Sequence, residues 1–191
     1  MPAPLLLASA SPRRLELLGR LGLEPDRIVS TDIDESTRRA ERPDDAALRL
    51  ACAKAAAAAA LYPDHIVLGA DTIVAVGRRI LPKAETEDEA RACLALLSGR
   101  NHRVITAVAL AVPGTGLRHR TVSTRVMFKP LCAPEIDAYV ATGEWRGKAG
   151  GYGIQGRAEA LIVRLQGSFS GVMGLPLYET RNLLVGAGFR L

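Results

Sequence analysis

"RVITAVALAVPGTGLRHRTVSTRVMF", residues 103–128, sets the sheet type of this chain. Two runs rich in β-branched residues flank the turn Pro113-Gly114-Thr115-Gly116, which reads as a long hairpin. A hairpin joins antiparallel neighbours. Around it, strand-like and helix-like segments are mixed without strict βαβ alternation. The expectation is therefore an α/β fold with a mixed, strongly twisted sheet flanked by helices.

Upstream, "HIVLGADTIVAVGRRILP" at 65–82 reads as strand, turn, strand. "RPDDAALRLACAKAAAAAALYP" predicts a helix over about 44–61, because alanine has the highest helix propensity. "PLLLA" at 4–8 reads as a buried strand. A helix over 12–21 follows, with Ser11 as N-cap, Pro12 at the first position and Gly22 as the stop. "RIVST" at 27–31 suits a short strand and "DIDEST" at 32–37 a polar loop. "TEDEARACLALLSG" opens on a capping box, Thr86 with Glu89, and closes at Gly99. Downstream, "APEIDAYVATG" at 133–143 reads as a short helix and "EWRGKAGGYGIQG" at 144–156 as a glycine-rich loop. "ALIVRLQG" at 160–167 reads as a strand, and "GLPLYETRNLLVGAG" at 174–188 as a strand end followed by a helix. With neither linker nor internal repeat, residues 1–191 are expected to form one domain around a cleft.

The composition is 48% hydrophobic and 24% charged, which is that of a globular chain. No apolar run approaches the roughly 20 residues that span a bilayer. The first residues lack the blocks of a signal peptide, so a cytoplasmic location without membrane association is expected. Cys52, Cys93 and Cys132 are too few and too scattered for a disulfide framework or a zinc site. The net charge of +5 favours an anionic partner. The basic residues are dispersed and aromatics amount to only 4%, so a small phosphorylated ligand fits better than a nucleic acid.

Five stretches carry possible chemistry. At the start of the first helix, unpaired N–H groups, Ser9, Ser11, Arg13 and Arg14 can cradle a phosphate, or simply form a capped helix with a solvated arginine pair. Neighbouring helical residues point about 100° apart, so both arginines need not face one ligand. Asp71 interrupts an apolar strand, and burial there demands a strand end, a partner or a metal. Thr72 adds a hydroxyl beside it. Glu35 lies in an acidic loop that can supply oxygen to a hard cation or form a plain solvated turn. Lys54 and Lys83 can neutralise phosphate oxygens or be ordinary lysines. In "KAGGYGIQG" at 148–156, the glycines permit close approach of a ligand and Gln155 offers an amide donor and acceptor. The same stretch also reads as a flexible loop.

Taken together, "SASPRR" at 9–14, "DE" at 34–35, "ACAKA" at 51–55, "GADTIV" at 69–74, Lys83, "KAGGYGIQG" at 148–156 and "GSFSGVMGLPL" at 167–177 resemble the Maf family of nucleoside triphosphate pyrophosphatases. The resemblance follows chain order over nearly the whole sequence. It implies a mixed α/β fold of inosine triphosphatase-like type, with two lobes around an elongated cleft and usually a homodimer. It further implies hydrolysis of a nucleoside triphosphate to the monophosphate and diphosphate with a divalent metal, Mg²⁺ or Mn²⁺. Arg13, Thr72 and Gln155 look like the branch that acts on dTTP and UTP.

Carried over residue by residue, the resemblance makes Asp71 the catalytic proton acceptor. Glu35 and Asp71 become the metal ligands. Ser9, Arg13, Arg14, Lys54, Thr72, Lys83 and Gln155 become substrate-binding residues, with Arg13 facing the phosphates and Arg14 supporting it. Two other functions compete with this reading. One is a non-catalytic nucleotide- or nucleic-acid-binding regulator of cell division. The other is a pyrophosphatase for a different, modified nucleotide.

Overall fold

The hairpin is present, and its two strands lie inside the sheet, with other strands on either side. The computed structural model describes residues 3–191. In chain order the elements are β1 (Leu5–Ala8), α1 (Pro12–Gly19), β2 (Arg27–Ile28), α2 (Pro43–Leu61), β3 (Ile66–Val76), β4 (Arg79–Leu81), β5 (Lys83–Ala84) and α3 (Glu87–Leu97). They continue with β6 (Asn101–Val112), β7 (Gly116–Phe128), α4 (Ala133–Val140), β8 (Lys148–Ala149), a 3-10 helix at Arg157–Leu161, β9 (Ile162–Gln166), α5 (Phe169–Met173) and α6 (Leu177–Val185). The main sheet runs β2-β1-β3-β6-β7-β9, with β4 also on β3. β1 is parallel to β2 and β3, and every other pairing in the main sheet is antiparallel. β5 and β8 form a separate two-stranded piece.

Strand alternation sends neighbouring residues to opposite faces. On β6, Ile105, Ala107 and Ala109 meet Ala46, Ala47, Ala51 and Ala55 of α2. Val104, Val108 and Leu110 join the larger core on the other face, with Leu17 and Leu18 of α1 and Leu94 and Leu97 of α3. The alanines let α2 lie very close to β3. A Cβ added at Gly69 would sit 2.7 Å from the Ala51 carbonyl oxygen and 2.8 Å from the Ala55 nitrogen.

β3 changes partners along one edge. Its first half pairs with β1 as far as Ala8 opposite Gly69, and β4 takes over at Val74 opposite Leu81. Among the described residues, no strand covers that edge over 70–73, the stretch that holds Asp71 and Thr72. An uncovered edge beside the carboxyl end of a parallel strand is a natural opening for a ligand.

The Thr86–Glu89 capping box is complete, and Gly99 takes a positive φ of 65° just past α3. Several boundaries differ from expectation. α1 ends at Gly19, and β2 keeps only two residues. Ser11 holds the N-cap position without a side-chain capping bond, and the Ser9 hydroxyl instead accepts from Ser11 N at 3.2 Å. The expected strand end at 174–175 is not one: α5 precedes it, capped by the Ser168 hydroxyl, which accepts from Gly171 N. Lys148–Ala149, read as loop, pairs with Lys83–Ala84.

A buried polar pair sits below the glycine-rich segment. His102 Nε2 and Tyr152 Oη are 2.7 Å apart, and Phe128 packs against both rings. Burial pushes the His102 imidazole from its ordinary 6.5 down to about 4. The unfolded chain therefore binds a proton that the folded chain refuses as pH falls from about 6.5 to 4, and stability drops over that window. Urea titrations should show His102→Gln losing less stability than the parent across it, by on the order of 3 kcal/mol. Parallel losses in the two proteins would contradict this.

Candidate active site

The opening beside β3 collects side chains from eight segments of the chain. β1 ends at Ala8, and the chain turns through Ser9–Ser11 into α1, so the start of α1 faces the opening. Arg14 is tied down by all three guanidinium nitrogens. Its Nε donates to the Gly174 carbonyl at 2.8 Å, one terminal nitrogen to Ser9 Oγ at 3.1 Å, and the other to Thr72 Oγ1 at 3.4 Å. Arg13 lines the cleft, and among the described residues its guanidinium has no hydrogen-bond or ion-pair partner. Burial lowers the pKa of both arginines.

Asp71 and Thr72 point to opposite faces of β3, as alternation requires. Asp71 shares the α2 side with Lys54, whose Nζ donates to Asp71 Oδ1 at 2.7 Å. Both side chains are buried. The same Nζ lies 2.7 Å from Glu35 Oε1, and Lys83 Nζ lies 2.6 Å from Glu35 Oε2. Burial acts to raise the Glu35 pKa, but the two lysines outweigh it and hold the carboxyl at about 2. The salt-bridged chain Asp71–Lys54–Glu35–Lys83 thus joins β3, α2, the loop at 32–37 and β5.

Thr72 lies on the other face, with Val74, Val104 and Thr106. Above them runs the glycine-rich segment. Gly150 has a φ of 71°, and a Cβ there would come within 2.8 Å of Val74 Cγ1, so only glycine fits. Gly153 N donates to Tyr139 Oη at 3.1 Å, and Tyr152 is held by His102. Gln155 stands at the rim.

Two adjoining cavities, of about 160 and 180 Å³, share Ser11, Arg14, Lys54 and Lys83 in their walls. Arg13, Asp71, Thr72, Lys148 and Gln155 line the first, and Ser9 and Glu35 the second. All nine residues singled out from the sequence therefore border one continuous cleft. Its walls carry five basic side chains, Arg13, Arg14, Lys54, Lys83 and Lys148, against the carboxylates of Asp71 and Glu35. That surplus suits a polyanion. The apolar slot formed by Val74, Val104, Val172 and Met173 suits a flat ring beside it.

The Maf-like protein family matches residues 4–187. The chain belongs to the Maf-like family. A dTTP/UTP pyrophosphatase of Novosphingobium aromaticivorans is 61% identical over 184 residues, covering 96% of this chain and 92% of that protein. One from Caulobacter vibrioides is 60% identical over 186 residues, covering 97% and 96%. Among solved structures, the Staphylococcus aureus Ham1 protein covers 65% of this chain and 71% of its own, with 14% identity and a TM-score of 0.46.

Some residues in or beneath the cleft of this Maf-like chain were given no role from the sequence. Lys148 sits in the quoted glycine-rich segment and donates to the Glu144 carbonyl. Its pKa is lowered by burial and by the nearby positive charge of Arg13, so two cations converge on the cleft. Thr106 lies mid-strand, with nothing in its neighbourhood to single it out. Val172 and Met173 come from α5, which has no periodic pattern to announce it, and Gly174 is the residue that caps it. Among the described residues, no helix is long and apolar enough to cross a membrane.

Glu35 and Asp71 bring two carboxylates from separate elements to Lys54 Nζ, and that ammonium holds the point between them. As a donor set, the two carboxylates fit Mg²⁺ or Mn²⁺, which typically take one or two carboxylates and complete their shell with water and substrate phosphates.

Proposed function

We infer that this Maf-like chain is a nucleoside triphosphate pyrophosphatase that hydrolyses dTTP and UTP to the monophosphate and diphosphate. The single observation behind the chemistry is the cleft, where five cations and two carboxylates adjoin an apolar slot with Gln155 at its rim. The choice of dTTP and UTP follows the names of relatives about 60% identical over nearly the full chain.

A triphosphate enters with its phosphates toward the start of α1. Arg13 and Lys148 neutralise phosphate oxygens, and Lys83 and Ser9 bind from the second cavity. Arg14, locked by Ser9, Thr72 and Gly174, contributes a fixed charge and holds α1 to α5. Glu35 and Asp71 would hold the divalent cation, which supplies charge neutralisation and makes water more acidic. Asp71 Oδ1 is engaged by Lys54, while among the described residues Oδ2 accepts no hydrogen bond. Oδ2 takes the proton from the water that attacks the α-phosphorus, and diphosphate leaves in line. Thr72 and Gln155 face the base edge, where uracil and thymine present an N3–H between two carbonyls.

A panel of triphosphates with Mg²⁺ or Mn²⁺, run in ¹⁸O-water, tests this reading. dTTP and UTP should release diphosphate, with the label in the monophosphate. Orthophosphate as the sole product, or label in the diphosphate, would replace α-attack with another reaction.

A further inference from the structure

The hydroxyl pair of Thr72, at the cleft wall, and Thr106, buried behind it, carries an inference that rests on the proposed pyrophosphatase reading and sharpens its specificity. Thr106 is fully buried, and its Oγ1 lies 2.7 Å from the Gly171 carbonyl oxygen and 3.0 Å from Thr72 Oγ1. A carbonyl oxygen only accepts, and a threonine hydroxyl has a single hydrogen. The Thr106 hydrogen therefore goes to Gly171. The bond between the two threonines then uses the Thr72 hydrogen, with Thr106 as acceptor. The guanidinium of Arg14 donates to Thr72 Oγ1 as well. Thr72 is left with no proton to offer, and its remaining lone pair is what the cleft meets.

We propose that Thr106 is a positioning residue that makes the Thr72 hydroxyl an obligate acceptor, so that the cleft selects bases with an N–H donor at that edge. Uracil and thymine carry such a donor at N3. Cytosine carries a lone pair there, and two facing acceptors repel. The arrangement is held from below: Gly171 O also accepts from Gly174 N, and Gly171 N donates to Ser168 Oγ, so α5 cannot turn that carbonyl away. Specificity thus depends on a side chain that never touches the substrate.

The test compares the UTP:CTP ratio of kcat/KM in the parent, Thr106→Val and Thr106→Ser. Thr106→Val removes the acceptor and frees the Thr72 hydrogen to meet cytosine N3. The ratio should fall by about tenfold or more, a usual scale for an unmatched buried polar group. Thr106→Ser keeps the hydroxyl and should keep the parental ratio. A parental ratio in a folded Thr106→Val would overturn the proposal. If Thr106→Val does not fold, N3-methyl-UTP decides on the parent: a loss of about tenfold or more against UTP supports an acceptor at that edge, and a loss under twofold overturns it. Failure of the parent to release diphosphate from UTP would instead sink the pyrophosphatase reading itself.

Discussion

Asp71→Asn lowers diphosphate release from UTP by about two to four orders of magnitude, the range expected when a positioned general base is removed. Its melting temperature stays within a few degrees of the parent. The two parts of this expectation come from the same contacts. Asparagine has the size of aspartate and keeps an oxygen for Lys54 Nζ, but it cannot take a proton from water. Lys54 also retains Glu35 at 2.7 Å, so the substitution leaves no buried ammonium without a carboxylate. An unpaired buried charge is the usual reason a change in such a pair unfolds a protein. Steady-state diphosphate release and a thermal melt on the same sample separate the two effects. Activity within tenfold of the parent would remove Asp71 from the reaction. A collapsed melt would make it structural.

Gly69→Ala acts the other way round, on the fold first and on the cleft through it. The new methyl group would lie 2.7 and 2.8 Å from Ala51 O and Ala55 N, both backbone atoms of α2. Backbone in the middle of a helix cannot swing aside as a side-chain tip can. α2 must therefore lift off β3, and the cost is about 3 kcal/mol, at the upper end for overpacking. Lys54 lies between those two contact residues, so the lift also spoils its reach to Asp71 and Glu35. The urea midpoint and the activity should fall together. Gly19→Ala is the control: no atom lies within 4 Å of its added Cβ, and it sits in the last turn of α1. It should be neutral or slightly stabilising. Equal behaviour of the two variants would show that the close approach at Gly69 does not matter.

Much of this architecture was legible because it is local. The hairpin at 103–128, the Thr86–Glu89 capping box and the glycine stop after α3 each rest on residues a few positions apart. So does the alternation that throws Asp71 and Thr72 to opposite faces. What stayed illegible is long-range. A carboxylate inside an apolar strand demands a partner, but nothing in "GADTIV" names Lys54. Helical geometry separates Arg13 from Arg14 by about 100°. It does not say that Arg14 turns inward to a carbonyl 160 residues away, leaving Arg13 to the cleft. α5, with five residues and a glycine inside, has too short a pattern to read. It nevertheless supplies the carbonyl that orients Thr106.

The change of partner along β3 has a bearing on how such a cleft diversifies. In the proposed reading, the phosphate end stands on β1 and the start of α1, and the base slot on the far half of β3, on β6 and on the glycine-rich segment. The two ends share one continuous strand but draw on different neighbours. Substitutions around Val74, Val104 or Gln155 can thus reshape which ring is admitted while the phosphate machinery keeps its register. The sheet separates what a descendant can alter from what it must inherit unchanged.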